Sequence, residues 1–136
     1  YVCLHTHLPS IDTILEEGSD VAMESFYELG HFANKLHRAG IYHNDFNTTN
    51  ILYSKSDGKT HFTLIDLNRT SFGNYSLRRG IYDLRRLKIR AEYYKALTRG
   101  YAEASGKDER EIIERVTLAR EMFVKRENAK NRLKKF

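Results

Sequence analysis

Residues 43–52 have the sequence HNDFNTTNIL, and residues 64–69 have the sequence LIDLNR. The first stretch places His43, Asp45 and Asn50 in a segment without helical periodicity, directly before the apolar residues 51–53. The second stretch places Asp66 at the end of the apolar segment 61–67. Residues 55–59 lie between them and contain Asp-Gly, a strong signal for a tight hairpin turn. We therefore predict a β-hairpin that returns Asp66 to the side of Asn50.

This set of side chains suits phosphoryl transfer. That reaction needs little covalent help from a protein, but it needs an aligned acceptor hydroxyl and neutralised phosphate charge. Asp45 can accept the proton of a hydroxyl or orient it, and the oxygens of Asn50 and Asp66 are hard ligands of the kind that Mg²⁺ prefers. Taken singly, Asp45 can instead form an Asx turn, and Asp66 can cap the turn that follows its strand.

The flanking sequence predicts mostly helices. Ser10 can cap a short helix over residues 11–17, and Ser19 or Asp20 can cap a longer helix that Gly40 ends. That longer helix carries one apolar stripe, formed by Ala22, Phe26, Leu29, Ala33 and Leu36. Residues 41–50 are predicted as a loop. After an irregular stretch that follows Asn68, two or three helices are expected, the last of them starting near Asp108.

Composition sets limits on the kind of protein. The 136 residues suffice for one domain, the single Cys3 excludes an internal disulfide framework and fits a reducing compartment, and no stretch has the roughly 20 apolar residues of a membrane span. The net charge of +5 resides in residues 125–136, which hold six basic residues and one acid. Such a basic tail can meet anionic lipid or nucleic acid, or it can be a solvated helix end.

The order and spacing of His43, Asp45, Asn50 and Asp66 resemble the protein-kinase catalytic loop H-R-D-x-x-x-x-N and its later D-F-G. Within that superfamily, residues 43–52 and 64–69 are similar to the lipopolysaccharide kinase family, whose Kdo kinases phosphorylate the 3-deoxy-octulosonate sugar of the inner core. Asn47 fits that family better than the lysine usual in Ser/Thr protein kinases. Residues 82–87 resemble the helix that follows the metal loop there. The likeness covers residues 1–95.

The resemblance implies an α+β fold, mostly α, in which residues 1–136 form a protein-kinase-like C-terminal lobe. Residues 1–7 would be the hinge strand, 43–50 the catalytic loop, 66–69 the metal loop and 125–136 a basic tail. The N-terminal lobe would lie outside this chain, and the chain alone would be inactive. The implied cofactors are ATP and Mg²⁺. The implied metal and cofactor ligands are Asn50 and Asp66, and the implied catalytic-loop residues are Asp45, His43 and Asn47.

Two residues of this region have structural interpretations. We interpret His43 as a structural residue that braces the loop and not as a proton carrier. Asp83 either holds the backbone of the catalytic loop, as a helix aspartate does in kinases, or forms a helix salt bridge with Arg79 or Arg86.

Two departures from the protein-kinase pattern affect the expected function. Asn44 replaces the arginine of H-R-D, so control by a phosphorylated activation loop is not expected. Asn68 replaces the glycine of D-F-G, so a different mobility of the metal loop is expected. The segment after Asp66 is short and offers little platform for a peptide. The expected partner is therefore a sugar or glycolipid acceptor.

A basic run just after the metal loop is the candidate acceptor surface, because arginine forks suit phosphate and carboxylate groups. A solvated helix face is the alternative interpretation. Arg69, Arg78 and Arg79 are its leading members, followed by Arg85, Arg86, Lys88 and Arg90.

Four functions are therefore open at the level of sequence. The leading hypothesis is a kinase of a sugar in lipopolysaccharide core assembly, located in the cytoplasm with peripheral contact to the anionic inner membrane. An atypical protein kinase and a pseudokinase or binding module are the alternatives. Nucleic-acid binding would rest on the charge of residues 125–136 alone and is not expected.

Overall fold

The computed structural model describes residues 8–134, and the predicted hinge strand over residues 1–7 lies outside them. Four α-helices are formed in this part of the chain, α1 (Ser19–Arg38), α2 (Leu77–Leu84), α3 (Ala91–Ser105) and α4 (Glu109–Lys134). Four short strands accompany them, β1 (Ile41–Tyr42), β2 (Ile51–Ser56), β3 (Lys59–Leu64) and β4 (Ser71–Phe72). Two 3₁₀ helices cover Ile11–Glu17 and Thr48–Asn50. The predicted α+β class with mostly helical content is confirmed.

The predicted hairpin is present and its turn follows from the sequence. Strands β2 and β3 pair antiparallel from Ile51 opposite Leu64 to Ser56 opposite Lys59. The turn residues Asp57 and Gly58 both have positive φ, 54° and 73°, which Asp-Gly tolerates better than most pairs. The return strand ends at Leu64 and not at residue 67 as predicted, because the chain turns at Asp66, whose φ is also positive at 57°.

A second antiparallel pair was missed by the sequence analysis. Strand β1 lies inside the segment predicted as a loop, and it pairs with β4, with Ile41 opposite Phe72 and Tyr42 opposite Ser71. Strands of two residues carry too little alternation to be recognised from sequence. This pair closes the chain from residue 41 to residue 72 into one unit that contains the hairpin.

Helix α1 buries the face that its sequence predicts, but the capping of α1 and of the first 3₁₀ helix differs from the prediction. Four of the five predicted stripe residues of α1 are buried, and only Leu36 remains partly exposed. The N-cap of α1 is Gly18, not Ser19 or Asp20, and no side chain caps it. Ser10 occupies the N-cap of the first 3₁₀ helix, but its side chain bonds to Asp12 and caps no backbone amide.

Helices α1 and α3 cross closely at two glycines. A Cβ atom on Gly30 would lie 2.1 Å from the carbonyl oxygen of Leu97, and one on Gly100 would lie 2.1 Å from that of Tyr27. Both obstacles are backbone atoms, so a side-chain rotation cannot relieve them. Glycine is therefore required here because the two backbones touch.

Gly100→Ala is expected to lower the free energy of unfolding by about 3 kcal/mol, because overpacking costs more than the ~1 kcal/mol that alanine gains in helix propensity. Chemical denaturation followed by circular dichroism measures the change. Lys95→Ala, on the exposed side of the same helix, is the control and should stay within about 0.5 kcal/mol of wild type. A Gly100→Ala protein as stable as that control would contradict the close crossing.

None of the helices within residues 8–134 combines the length and the apolar composition needed to cross a bilayer.

Candidate active site

The 43–50 loop is held in place by Asp83, a buried carboxylate on α2. Its Oδ2 accepts the backbone N–H of His43 at 3.1 Å, and its Oδ1 accepts that of Asn44 at 2.8 Å. The same carboxylate lies 2.9 Å from Nε2 of the buried His37 on α1. Of the two interpretations of Asp83, the structure shows the one in which it holds the loop backbone.

His37 connects this carboxylate to a second buried group. A carboxylate only accepts hydrogen bonds, so Nε2 of His37 donates to Asp83. In the neutral ring, Nδ1 then accepts the hydroxyl of Tyr101 at 2.8 Å. Burial raises the pKa of Tyr101, which keeps its proton on the oxygen. A series of buried hydrogen bonds from Tyr101 through His37 to Asp83 therefore connects α3, α1 and α2 to the 43–50 loop.

His43 joins the 43–50 loop to the residue before Asp66. The Nδ1 atom accepts the backbone N–H of Asp45 at 3.2 Å, so Nε2 carries the proton and donates to the carbonyl of Ile65 at 2.9 Å. The side chain is buried, with 1% of its surface exposed. Both ring nitrogens are thus engaged within the protein.

Asp45 is oriented by two amides of its own loop. Its Oδ1 accepts Nδ2 of Asn47 at 3.1 Å, and its Oδ2 accepts Nδ2 of Asn50 at 3.2 Å. Asn47 is itself fixed, because its Oδ1 accepts the backbone N–H of Thr49 at 3.2 Å and so caps the 3₁₀ helix. The Asp45 side chain keeps 22% of its surface exposed. It is therefore aligned by its neighbours and still open to a ligand.

Arg86 also reaches Asp45, and the sequence analysis did not place it there. Its Nη1 lies 3.9 Å from Oδ1 of Asp45. The guanidinium rests over the ring of Phe123 on α4, 5.0 Å from the centroid. From the sequence, Arg86 was expected in the basic run or in a helix salt bridge with Asp83, since no local spacing links residue 86 to residue 45.

Asn50 and the residue before Asp66 are joined by the sheet. The backbone N–H of Ile65 donates to the carbonyl of Asn50 at 3.0 Å, which extends the β2–β3 pairing by one bond. Asn50 is 8% exposed, and its Nδ2 donates to both the carbonyl and the carboxylate of Asp45. Because both of those partners only accept, the orientation of the amide is fixed, and Oδ1 accepts no hydrogen bond from residues 8–134.

Asp66 has an unusual backbone for its residue type. Its φ of 57° lies in the left-handed region, which a non-glycine residue adopts at some cost and which often occurs at functional sites. The side chain is exposed, and its carboxylate forms no hydrogen bond with residues 8–134. The structure therefore presents an open carboxylate one residue beyond the Asn50–Ile65 bond.

A magnesium ion is compatible with these donors. The free Oδ1 of Asn50 and the open carboxylate of Asp66 are hard oxygens, and Mg²⁺ commonly takes one or two carboxylates while keeping waters and substrate phosphates as its other ligands. Within residues 8–134 no cluster of three or more His, Cys, Asp or Glu side chains is placed to hold a metal. A site with two protein ligands does not need such a cluster.

Asn44 adds a second link between the two loops. Its φ is 66°, and its Nδ2 donates to the carbonyl of Arg69 and to Oγ of Ser71, both at 2.8 Å. The residue that replaces the arginine of H-R-D thus fastens the 43–50 loop to the 66–69 loop and to β4. No motif match could have shown this contact.

The three predicted acceptor arginines do not form one surface. Arg79 donates to Oγ of Ser71 at 2.8 Å and covers the ring of Tyr42 at 4.0 Å, so it lies near the loop junction. The carbonyl of Arg69 belongs to the same junction through Asn44. Arg78 instead lines a groove between α2 and α4. A cavity of about 450 Å³ between α3 and α4 contains none of the predicted site residues.

No curated protein matches the chain, whereas a family model does. The model of the lipopolysaccharide kinase (Kdo/WaaP) family matches residues 4–115, a segment that contains both loops, the hairpin and the carboxylate of Asp83. Since this match covers most of the 136 residues, the chain belongs to the lipopolysaccharide kinase (Kdo/WaaP) family.

Proposed function

We propose that this chain carries the catalytic residues of an ATP- and Mg²⁺-dependent kinase that phosphorylates a sugar hydroxyl of the lipopolysaccharide inner core, on Kdo or a similar sugar. The observation that carries the proposal is the junction of the two loops. There Asn50 bonds both to Asp45 and to Ile65, the neighbour of Asp66. Membership of the family supports the kinase class.

In this proposal Asp45 receives or orients the acceptor hydroxyl. Asn47 and Asn50 each occupy one carboxylate oxygen with a single hydrogen bond, and each carboxylate oxygen has a further lone pair available. The guanidinium of Arg86 lies 3.9 Å from Oδ1 of Asp45, on the same side as the hydrogen bond from Asn47. The partial exposure of Asp45 leaves room for the hydroxyl.

Asn50 and Asp66 are the proposed metal ligands. A bound Mg²⁺ would neutralise charge on the phosphates of ATP during transfer. The chain would hold these two residues near one another, because the backbone N–H of Ile65 bonds to the carbonyl of Asn50 and the left-handed backbone of Asp66 turns the chain at that point.

His43, Asn47 and Asp83 are proposed to position the site. His43 holds Ile65 against the 43–50 loop, Asn47 holds Asp45, and Asp83 holds two amides of the loop. A kinase-like C-terminal lobe is the fold in which such a set would work.

The acceptor is proposed to be a glycolipid and not a peptide. Only residues 67–76 separate Asp66 from α2, and β4 pairs part of them with β1, so that this segment offers little extended surface for a polypeptide. Arg79 places its guanidinium at the loop junction, and Arg69 contributes its backbone carbonyl there. Guanidinium groups suit the phosphates and carboxylates of the inner core. Such an acceptor places the protein in the cytoplasm, in peripheral contact with the inner membrane.

The test uses the full-length protein with labelled ATP, Mg²⁺ and lipopolysaccharide precursors from its own source. Wild type is expected to label the glycolipid fraction, while Asp66→Asn should lower the rate at least about 100-fold, because the charged metal ligand is lost. Asp66 is exposed, so the variant should keep the wild-type melting temperature. Label appearing in protein and not in glycolipid would support an atypical protein kinase instead. A folded protein that binds ATP with Mg²⁺ but labels neither fraction would indicate a pseudokinase.

A further inference from the structure

The groove between α2 and α4 concentrates positive charge along its lining. Four arginines line the groove. Arg78 belongs to α2, Arg85 is the C-cap of α2, and Arg115 and Arg126 belong to α4. No carboxylate is among its lining residues. Within residues 8–134 only Arg115 of the four forms an ion pair, with Glu111 at 3.7 Å on the exposed helix surface. Such an arrangement attracts an anion.

Arg85 is held in place by two aromatic rings. Its guanidinium lies 3.4 Å from the ring centroid of Tyr82 and 5.2 Å from that of Phe123. Burial leaves its Nε without a hydrogen-bond partner among the described residues, a cost that a surface arginine would avoid by turning into water. The nearby guanidinium group of Arg85 first, and then that of Arg126, lowers the pKa of Tyr82 below its usual value. The groove therefore favours negative charge.

The same groove has an exposed apolar rim. Leu118 and Met122 on α4 are 58% and 50% exposed, and Tyr82 on α2 is 50% exposed. Leu118 and Met122 are four residues apart, so they lie on one face of the helix. Beyond them the helix continues with exposed Lys125, Arg126, Lys130, Arg132 and Lys134. Apolar side chains beside cations on one helix are typical of a surface that rests on an anionic bilayer.

We propose that the groove between α2 and α4 is a docking site for an anionic membrane, in which its arginines bind lipid phosphate and Leu118 and Met122 enter the acyl boundary. The α4 side of this groove, from residue 118 onward, lies outside the segment matched by the family model, which ends at residue 115. The proposal specifies where the membrane contact of the proposed kinase would occur. It concerns binding, and it can be tested without phosphoryl transfer.

The test measures binding of the full-length protein to vesicles by sedimentation at low ionic strength. Vesicles of phosphatidylcholine mixed with phosphatidylglycerol are compared with vesicles of phosphatidylcholine alone. Wild type is expected to bind only the mixed vesicles. The double variant Arg78→Gln/Arg126→Gln should bind them roughly 30-fold more weakly, since each cation near an anionic surface contributes about a factor of five.

A control variant that removes the same number of charges elsewhere separates the effect of the groove arginines from the effect of net charge. Lys55→Gln/Lys59→Gln removes the same two charges from the exposed hairpin turn and should weaken binding by less than about threefold. Leu118→Gln/Met122→Gln should weaken vesicle binding at unchanged charge, and both residues are exposed enough for the protein to stay folded, which circular dichroism verifies. If the arginine double variant and the lysine double variant lost vesicle affinity equally, the proposal would be overturned. Wild-type binding by the apolar variant would also overturn it, as would the absence of vesicle binding by a protein whose groove binds inorganic phosphate.

Discussion

Asp45→Asn is expected to lower kcat for phosphoryl transfer at least about 100-fold, because an amide cannot accept the proton of the acceptor hydroxyl. Aspartate and asparagine side chains have nearly the same shape, and Asp45 is partly exposed, so the protein should remain folded. The KM for ATP should change little, since the proposed metal ligands are Asn50 and Asp66. Steady-state kinetics on the glycolipid acceptor, with melting temperatures beside them, measure these quantities.

The control for this substitution is the same chemical change in the hairpin turn. Asp57 has a φ of 54°, a conformation that asparagine also adopts readily, and it is exposed. Asp57→Asn should therefore keep both the wild-type kcat and the wild-type stability. An Asp45→Asn enzyme with wild-type kcat would show that Asp45 only caps its loop, which is the alternative that the sequence left open.

Asp83→Ala is expected to produce the largest loss of stability, about 3–5 kcal/mol, because each buried donor left without its acceptor costs about 1–3 kcal/mol. Asp83 is 3% exposed, and its removal leaves three donors without their acceptor, the amides of His43 and Asn44 and Nε2 of His37. Most domains are stable by only 5–15 kcal/mol, so the variant should unfold at a much lower denaturant concentration. Urea denaturation of the purified protein gives the value.

Glu92→Ala provides the comparison with an exposed pair. Glu92 lies 3.5 Å from Arg90, with more than half of its side-chain surface exposed, so its removal should cost less than about 1 kcal/mol. A similar small effect for Asp83→Ala would mean that the buried network does not hold the 43–50 loop. Asp83→Asn should fall between the two, because an amide can still accept some of the three hydrogen bonds.

Local sequence was sufficient for the parts of the site that depend on short spacing. The Asp-Gly turn and the apolar segments on either side predicted the hairpin, and the hairpin alone predicted that residue 66 returns to residue 50. The amphipathic stripe of α1 predicted which side of that helix is buried. These predictions succeeded because hairpin turns and helix faces are determined by residues within a few positions of one another.

Short strands, helix caps and strand ends were predicted less well. β1 and β4 are only two residues long, and they form because residues 41 and 72 are brought together by the elements between them. Gly18 caps α1 although Ser19 and Asp20 are better capping residues, since position 18 is where the preceding 3₁₀ helix ends. Here the packing of neighbouring elements overrides local preference.

By itself, the sequence determined the identities and the chain order of Asp45, Asn50 and Asp66, and the hairpin that connects the last two. Only the tertiary structure placed Arg86 beside Asp45, Asn44 between the two loops and Asp83 beneath the 43–50 loop. It also separated Arg78 from Arg69 and Arg79, which the sequence presents as one basic run. The physical reason is that contacts across 25 to 41 positions depend on how helices and strands pack, and no local periodicity encodes that packing.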